Sequence, residues 1–542
     1  MAERPLTQRK ALGSYYTDLS VVEFLVGWGM SVSPGIVMDP SCGDGRFLAQ
    51  SGEHGASGLI GCDLDPEAVS QTRQLLMGCG RNVTLFHSDF FSLDPSNSQR
   101  VDLVVGNPPF LRFQHFSGDS RVRALQSALR VGARLSRLTA SWAPFLLHAL
   151  QFLRPGGAMA IVVPAELAQT SYGITTLQAL CGNFARVRLV SFCRNWFADA
   201  QQETFLLLAE GRGGRCGSAA LIPLKTIQDL GSCALEESGG GVEISPDPNM
   251  TLGLAYLDAE SRAIWTATTT DAGVAPLRQL GEIANGYVSG ANDFFHRTDS
   301  DAERNAIPGD WLIPTARSIR SLRGLEYRSQ DVADNERDGV AHHLILPRTN
   351  ELFANDDQAL EAFRAEGEHL GVHRRYKCRS RSPWWQVPGL ILANVFLPYM
   401  IGSVPRSAVN RAHAVYANSL HGIRLVPGVS PERLVFGLLS TFSLLSMELE
   451  GRSYGGGVLK LEPSEMQRVR VIMSTLPEPD FACVFVDADG LLRQGKTGEA
   501  VELADRVLLT DQLGLSRTAL SALVSARKML LDRRLDRAAR AR

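Results

Sequence analysis

The chain lacks a membrane-spanning segment, a cysteine motif for metal binding and a signal peptide. It has no apolar run near the roughly 18 residues of a membrane helix and no Cys-x-x-Cys pair among its 9 cysteines. Its first residues, MAERPLTQRK, carry charges where a signal peptide needs an apolar core. We therefore expect a cytoplasmic protein with reduced thiols, no membrane partner and no bound metal.

Charge balance and length set the next limits. Lys and Arg number 55 against 57 Asp and Glu, which gives a formal net charge of -2. Affinity for a polyanion must therefore come from local patches rather than from the whole surface. At 542 residues the chain exceeds the size that one hydrophobic core supports, so we expect two or more domains.

Short apolar segments alternate with helical patterns from Gly35 to Ala209, which indicates an α/β domain with a largely parallel sheet. A helix capped by Ser20 is predicted just upstream, over residues 20–27. The strand candidates, in chain order, are IVMDP, GLIGCDLD, VTLFHSD, VDLVVGNPP, AMAIVVP, VRLVSF and TFLLLAE.

This pattern stops at stretches rich in glycine, serine and proline, of which EESGGGVEISPDPN is the candidate linker. We accordingly expect one domain over residues 1–240, a second with mixed strands and turns over 250–480, and a helical segment over 481–542. The chain ends in a basic tail, DRRLDRAARAR, which we expect to pack and solvate rather than to bind DNA.

A glycine-rich turn, Asp39-Pro-Ser-Cys-Gly-Asp-Gly, follows the first strand. Gly43 and Gly45 allow a tight turn and a close approach of the backbone to a ligand, and the next helix offers its N-terminal N–H groups. Taken alone, a structural turn explains this stretch equally well. The spacing differs from Gly-x-Gly-x-x-Gly and from a phosphate loop, which disfavours NAD and nucleoside triphosphates.

Acidic residues end the next two strands. Asp63 is placed to accept hydrogen bonds from the hydroxyls of a ribose, while Asp65, beside Pro66, is predicted to cap a helix. Asp89 is placed to accept from an adenine amino group, and Phe90 to pack on its ring. Each acid alone is more often a cap. Three successive strand ends of this kind favour a nucleoside site at the carboxyl edge of the sheet.

These motifs resemble the cofactor site of class I S-adenosylmethionine-dependent methyltransferases, and Gly13-Ser-Tyr-Tyr-Thr17 resembles the N-terminal cofactor motif of N6-adenine DNA methyltransferases. The resemblance implies a Rossmann-like, mostly parallel seven-stranded sheet with S-adenosyl-L-methionine as the cofactor. It also implies that Asp39 faces the methionine amino group. The cofactor-binding residues expected are Tyr16, Thr17, Asp39, Pro40, Cys42, Gly43, Gly45, Asp63, Leu64, Asp89, Phe90 and Asn107.

The fourth strand delivers Gly106-Asn-Pro-Pro-Phe110, whose chemistry suits an aromatic amine. The lone pair of adenine N6 is delocalised into the ring. The side-chain oxygen of Asn107 and the carbonyl of Pro108 can accept both N–H hydrogens and aim that lone pair at a sulfonium methyl group. The prolines hold these acceptors still, and Phe110 would stack on the base. A rigid turn is the alternative for the tetrapeptide by itself.

A base inside a duplex must be flipped out before it can react. The resemblance implies a second aromatic residue after the sixth strand, and its offset from the next strand favours Phe197, with Trp196 as the alternative. Ordinary core packing explains either ring equally well. The catalytic residues expected are Asn107, Pro108, Phe110 and Phe197.

Basic and aromatic residues interleave over 373–388, HRRYKCRSRSPWWQVP, as expected of a segment that contacts phosphates. This basic segment resembles one found in restriction-modification adenine methyltransferases, as does SYGGGVLK over 453–460. A solvated charge run with two buried tryptophans is the alternative. The residues predicted to contact DNA are Arg112, Arg374, Arg375, Lys377, Arg379 and Arg381.

The order of the motifs resembles the gamma arrangement of amino-methyltransferases, whose target-recognition domain is C-terminal. The resemblance implies a monomeric, site-specific adenine methyltransferase that acts on double-stranded DNA in the nucleoid of a bacterium or archaeon. It resembles the modification enzymes of type II restriction-modification systems, and a partner endonuclease for the same site is left open. The alternatives are methylation of cytosine, of RNA or of a protein glutamine, and a catalytically dead DNA-binding subunit.

Overall fold

A nine-stranded sheet forms the centre of the first of two units in the computed structural model of the chain. The structure describes residues 17–111, 114–192, 203–224, 226–232, 241–247, 251–347, 358–454 and 457–539. The first unit runs to Tyr256 and takes in Ser453–Gly457 and the chain from Arg533 on, while the second comprises Leu257–Arg452 and Val458–Asp532. The division therefore lies after residue 256 rather than at 240–250, and residues 481–532 fold with the second unit instead of forming a third.

The strands of the first unit follow the order β3-β2-β1-β4-β5-β7-β6-β8-β9. The first five strands in this order, β3, β2, β1, β4 and β5, run parallel to one another, whereas β7 is antiparallel to both β5 and β6, and β9 is antiparallel to β8. Their bounds are β1 Ile36–Asp39, β2 Gly58–Asp63, β3 Asn82–His87, β4 Val101–Gly106, β5 Leu153–Pro164, β6 Phe184–Phe192, β7 Thr204–Arg212, β8 Ala219–Leu224 and β9 Val242–Ile244.

All seven predicted strands are present, and the α/β fold is confirmed. The prediction of a seven-stranded sheet was wrong by two strands, β8 and β9. β8 follows the first glycine-rich stretch, GRGGRCGS, at which the strand and helix pattern had been expected to stop, and β9 lies inside the candidate linker. Pairing of β8 with β6 over Arg188–Phe192 overrides that local signal, because β8 gains hydrogen bonds to a strand that is distant in the sequence.

Helices cover both faces of this sheet. Alternate residues of one strand enter different clusters: Val37 packs with the first helix, whereas Met38 packs with the fourth and fifth. This explains why the central strands are apolar at almost every position. The helices of the first unit are α1 Leu19–Val32, α2 Arg46–Glu53, α3 Pro66–Leu75, α4 Gly118–Arg130, α5 Trp142–Ala149 and α6 Ser171–Cys181.

The first helix begins one residue earlier and ends five residues later than predicted. Its cap is Asp18 rather than Ser20, because the Asp18 carboxylate accepts a hydrogen bond from the Ser20 N–H at 2.9 Å. A carboxylate at this position also interacts favourably with the helix dipole.

The second unit contains small sheets and many short helices. Its larger sheets have the orders β11-β20-β16-β18-β14 and β12-β15-β13-β19, while β10 pairs with β23 and β17 with β22. The strands that follow the first unit along the chain are β10 Val274–Pro276, β11 Gly281–Asn285, β12 His296–Arg297, β13 Leu312–Ala316, β14 Glu326–Tyr327, β15 His343–Ile345, β16 Val395–Pro398, β17 Met400–Ile401, β18 Ala408–Asn410, β19 Val415–Tyr416, β20 Leu420–Leu425, β21 Arg452–Tyr454, β22 Val458–Lys460 and β23 Arg470–Ile472.

The predicted helical character of the C-terminal segment is confirmed by three helices that follow residue 477. Within the described residues no helix is long and apolar enough to span a bilayer. The remaining helices are α7 Ala259–Thr269, α8 Leu277–Leu280, α9 Asn292–Phe295, α10 Asp299–Arg304, α11 Ser329–Arg337, α12 Gln358–His369, α13 Tyr376–Arg379, α14 Pro431–Gly437, α15 Thr441–Glu450, α16 Pro463–Met466, α17 Glu478–Arg493, α18 Thr497–Asp505 and α19 Arg517–Ala539.

Candidate active site

The carboxyl ends of three adjacent parallel strands bring the candidate residues together. β1 lies between β2 and β4, so Asp39 at the end of β1 has Asp63 on one side and Asn107, just after β4, on the other. Ligands of open α/β sheets bind at this edge. The strand order thus brings motifs that are separated along the chain together at one site.

The glycine-rich turn joins β1 to α2 and is tied to the neighbouring strand end. Gly43 has φ +52° and donates its N–H to Asp63 Oδ2 at 2.9 Å. Gly45 has φ +84°, and a Cβ at that position would lie 2.9 Å from Thr72 Cγ2. The Thr72 hydroxyl also donates to the Gly43 carbonyl at 2.9 Å. Both glycines are therefore needed for the shape of the turn, and Thr72 of α3 supports it.

Asp39 occupies the most enclosed position of the site. Its side chain is 0% exposed, Oδ1 accepts from the Ser41 N–H at 3.0 Å, and Oδ2 has no hydrogen-bond partner among the described residues. Burial raises the pKa of Asp39 to about 8, with nearby carboxylates adding to the effect. A buried carboxylate oxygen of this kind suits a cationic ligand group. The residues present therefore fit the ammonium group of a bound methionine moiety.

Asp63 and its neighbours lie at the end of β2, beside Asp39. Both Asp63 oxygens accept backbone hydrogen bonds, from Gly43 and from Asp65, at 2.9 Å each, and burial raises its pKa. Asp65 caps α3 by accepting from the Glu67 N–H, so its predicted capping role is confirmed. Leu64 is 65% exposed, which leaves an apolar surface beside the strand end.

Asp89 and Phe90 are placed differently from the expectation. Asp89 caps the short turn Phe90–Ser92 and also forms an ion pair with Arg123 of α4 at 2.9 Å. Phe90 is only 4% exposed, and its ring lies 4.7 Å from that of Phe145 and 4.6 Å from that of His148. Stacking of Phe90 on an adenine ring does not fit this position, because the core already encloses the ring.

The residue after β4 is held by the segment that precedes α1. Asn107 Nδ2 donates to Thr17 Oγ1 at 3.2 Å, and Thr17 is 2% exposed. The Thr17 carbonyl in turn accepts from Arg46 of α2. Because the amide nitrogen of Asn107 faces Thr17, its oxygen Oδ1 lies on the opposite side of the amide carbon. Thr17 and Arg46 therefore fix the orientation of this amide.

The loop that follows Asn107 is pinned on both sides of Pro108. The Asn107 carbonyl accepts from Ser41 Oγ at 3.3 Å, and the Pro109 carbonyl accepts from Ser141 Oγ at 2.6 Å. The Pro108 carbonyl accepts no hydrogen bond from the described residues. Two anchored neighbours and two fixed proline φ angles hold this carbonyl in place.

The remaining predicted site residues divide into three groups. Pro40 and Cys42 are buried beneath the turn, where the Cys42 N–H donates to the Cys62 carbonyl at 3.0 Å and burial raises the pKa of the Cys42 thiol. Phe110 is half-buried and packs against the clusters on both faces of the sheet. Four lie outside the described residues, namely Tyr16, Arg112, Trp196 and Phe197.

The sequence interpretation assigned no role to Gly106, which the structure places against Asp39. Its φ is +144°, and a Cβ there would lie 2.6 Å from Asp39 Oδ1. A glycine directly before Asn-Pro-Pro was the available signal, since glycine often marks a close approach of two chain segments. Ser141, which precedes α5, carried no local signal, because its contacts with Pro109 and Leu111 span about 30 residues.

The basic segment, residues 373–388 of the second unit, contains two kinds of cation. Arg375 forms a two-pronged ion pair with Asp293 at 2.7 and 3.0 Å, and Arg381 donates to the Ser289 carbonyl at 2.8 Å. In contrast, Arg374 lies exposed beside His373. The tryptophans of the segment, Trp384 and Trp385, are half-buried against the aromatic cluster around Phe363.

The exposed part of the segment centres on α13. Tyr376 is 70% exposed, and Lys377 and Arg379 lie over its ring at 5.6 and 5.4 Å from the centroid. An exposed aromatic flanked by cations offers both stacking and charge to a nucleic acid. In the basic segment, Arg375 and Arg381 are therefore held by protein contacts, whereas Lys377 and Arg379 lie on an exposed turn.

Two family models match the chain, N-6 DNA Methylase over residues 3–173 and the C-terminal domain of Type II methyltransferase M.Eco57I over residues 252–509. Type II methyltransferase M.XamI of Xanthomonas campestris pv. amaranthicola is 23% identical over 473 residues, which cover 85% of either chain. Type II methyltransferase M.AccI of Acinetobacter calcoaceticus is 20% identical over 528 residues, which cover 94% of either chain. The cryo-EM structure of a DrdV–DNA complex has a TM-score of 0.50 at 12% identity, covering 89% of this chain and 57% of that one.

Strand order, helices on both faces and the candidate site at the carboxyl edge are those of the class I methyltransferase fold. The family model and the relatives indicate S-adenosyl-L-methionine as the cofactor. The family models and relatives also confirm the resemblance to the N6-adenine DNA methyltransferases of type II restriction-modification systems. At this level of detail the protein is a DNA methyltransferase.

Proposed function

We propose that the protein transfers a methyl group to N6 of an adenine flipped out of double-stranded DNA, as the site-specific modification enzyme of a restriction-modification system. The observation that carries this proposal is the Asn107-Pro108 arrangement, in which an oriented amide is followed by an anchored carbonyl. The catalytic unit is a monomer in this proposal, and a partner endonuclease would cleave the same unmodified site.

The cofactor supplies an electrophilic methyl group on a sulfonium centre. Asp39 would hold its ammonium group through the buried oxygen Oδ2, and Asp63 would accept from the ribose hydroxyls. Gly43 and Gly45 allow the backbone to approach, and Leu64 offers an exposed apolar side chain for the adenine ring. Asp89 would accept from the adenine amino group, and in the present structure its carboxylate is paired with Arg123.

Asn107 and Pro108 would prepare the nucleophile. The amide oxygen of Asn107 accepts one N6 hydrogen and the carbonyl of Pro108 accepts the other, which draws the nitrogen lone pair out of the ring. Both acceptors are neutral, so they do not stabilise the sulfonium in the ground state as a carboxylate would. Phe110 would stack on the flipped base, and Phe197 would cover its other face.

Binding of the duplex is assigned to the exposed turn of the basic segment. Lys377 and Arg379 would contact phosphates beside Tyr376. Arg375 and Arg381 would support that turn, because their guanidinium groups bind Asp293 and the Ser289 carbonyl. Sequence readout by other side chains of the second unit would then select the target site.

The test compares wild type with Asn107→Ala and with Asn97→Ala, an exposed asparagine of the same unit. With a duplex library and labelled cofactor, we expect wild type and Asn97→Ala to methylate adenine within one sequence motif. Asn107→Ala should lose about 100- to 1,000-fold in kcat, as when one transition-state hydrogen bond is removed, and its Kd for the cofactor should stay within about threefold.

Long-read sequencing of the products locates the modified base. Methyl label in cytosine, RNA or protein would exclude adenine as the substrate. Full activity of Asn107→Ala would instead exclude the proposed role of its amide. Cofactor binding without transfer to any substrate would identify a catalytically dead DNA-binding subunit.

A further inference from the structure

Two adjacent histidines and a carboxylate, to which no role has been assigned above, converge in the second unit. Asp299 begins α10, while His342 and His343 lie at the start of β15. His343 Nε2 is 2.8 Å from Asp299 Oδ1, and His342 Nε2 is 3.4 Å from Asp299 Oδ2. One ligand atom from each of the three residues lies within 4.8 Å of the others. Glu336, near the end of α11, approaches the same point, with Oε2 3.8 Å from His342 Nε2.

His342 cannot satisfy this environment as a neutral imidazole. Its side chain is 0% exposed, and Nδ1 lies 3.0 Å from the Val340 carbonyl, which can only accept a hydrogen bond. The proton of the neutral ring must therefore sit on Nδ1. Nε2 then presents a lone pair to the carboxylates of Asp299 and Glu336, which also carry lone pairs. A cation placed between these groups removes the conflict.

The surroundings match those of a metal-binding histidine. Such a ligand usually donates its other N–H to a backbone carbonyl, as His342 does to Val340. Glu336 is also oriented, because it accepts from the Asp299 N–H at 2.7 Å and from the Ser300 N–H at 3.1 Å. The ligands of a tetrahedral zinc, at bonds of about 2.0 Å, lie roughly 3.3 Å apart. The two histidines lie 2.8 and 3.4 Å from different oxygens of Asp299, and His342 lies 3.8 Å from Glu336 Oε2, all close to that value.

We propose that His342, His343, Asp299 and Glu336 form a structural Zn²⁺ site in the second unit. Two imidazole nitrogens favour zinc over calcium or magnesium, which prefer oxygen ligands throughout. The ion would link the start of α10, the end of α11 and the start of β15. Cysteine spacing had suggested no metal, but this site contains no cysteine, and its ligands are up to 44 residues apart in the chain.

The full-length protein, stripped with a chelator and dialysed, is titrated with Co²⁺ and then Zn²⁺. We expect one ion per chain, the strong visible absorption of tetrahedral Co²⁺, its displacement by Zn²⁺, and a higher thermal midpoint with zinc. Asp299→Asn keeps the size of an exposed side chain and should weaken binding at least tenfold, the lower bound for loss of a supporting group. His343→Ala should also weaken binding, although less than loss of His342, since His343 Nδ1 has no partner among the described residues.

Two variants serve as controls. Asp301→Asn alters a carboxylate of the same helix that pairs with Arg304, and His369→Ala removes an exposed histidine. Both should bind zinc as wild type does. The proposal is overturned if wild type binds no stoichiometric zinc, or if Asp299→Asn and Glu336→Gln bind it unchanged.

Discussion

At the scale of single residues, the enclosed carboxylate of Asp39 leads to a prediction about cofactor binding. It is fully buried, and its pKa is raised to about 8. Asp39 therefore keeps a proton in the cofactor-free protein at neutral pH, which an unfolded aspartate, with a pKa of about 3.9, has released. This contribution to stability is fully present below about pH 4 and is lost as the pH rises through about 8.

Cofactor binding should reverse this preference. A cationic ammonium beside Asp39 favours the carboxylate, so binding at pH 7 should release a proton, and affinity should rise by up to about tenfold per pH unit towards pH 8. Isothermal titration in two buffers of different ionisation enthalpy measures both effects. Asp39→Asn, which cannot ionise, should bind weakly with a flat pH profile. Equal pH profiles for the two proteins would contradict the assignment.

A second effect at this scale is the backbone of Gly106. Its lack of a Cβ lets the end of β4 lie directly against Asp39 at the end of β1, which brings the proposed cofactor acid and the proposed catalytic amide to the same edge of the sheet. The position of Asn107 therefore depends on a neighbour that bears no functional group.

At the scale of elements, the turn around α13 is expected to govern the salt dependence of DNA binding. Lys377 and Arg379 are exposed over Tyr376, whereas Arg375 is paired with Asp293. Replacing both exposed cations by alanine should weaken binding at low salt and reduce the slope of log K against log salt by about 2, roughly one for each phosphate contact.

Arg375→Ala provides the matched comparison within the same segment. Its guanidinium already neutralises a carboxylate, so this variant should leave the slope within about 0.5 of wild type. Fluorescence anisotropy with a labelled duplex, over a range of potassium chloride concentrations, gives the slopes. An unchanged slope in the Lys377→Ala/Arg379→Ala protein would move the phosphate contacts elsewhere.

At the scale of the whole molecule, the end of the chain folds with the first unit. Arg533 of α19 forms an ion pair with Glu203 at 2.8 Å, with both side chains about one-tenth exposed, and its guanidinium lies 3.5 Å from the centroid of the Tyr256 ring. Arg534 is also buried and donates to the Gly457 carbonyl. The prediction that part of the basic tail packs is thereby confirmed.

The buried pair should matter for stability, and an exposed pair on the same helix should not. Arg533→Ala leaves Glu203 buried and should lower the free energy of unfolding by about 3–5 kcal/mol. Lys528→Ala breaks a surface pair with Asp532 and should cost less than about 1 kcal/mol. Urea denaturation monitored by tryptophan fluorescence measures both values. Equal losses would show that the Arg533 pair contributes no more than a surface contact.

Local sequence patterns determined the main strands and the order of the candidate site motifs. Asp39, Asp63 and Asn107 each directly follow or end an apolar strand, and parallel strands must bring such ends to one edge. The last two strands of this sheet, β8 and β9, were missed because pairing with distant segments stabilises them.

Only the tertiary structure decided which of several similar residues are paired or buried and which are exposed. Arg375 and Lys377 are alike in the sequence, yet a carboxylate 82 residues away engages the first. Phe90 follows a strand as a nucleoside-stacking ring would, but Phe145 and His148 enclose it. The cluster of His342, His343 and Asp299 could not be predicted from the sequence either, because these residues are up to 44 positions apart in the chain. Strand ends follow from periodicity along the chain, whereas burial, ion pairing and convergence depend on residues that meet only after folding.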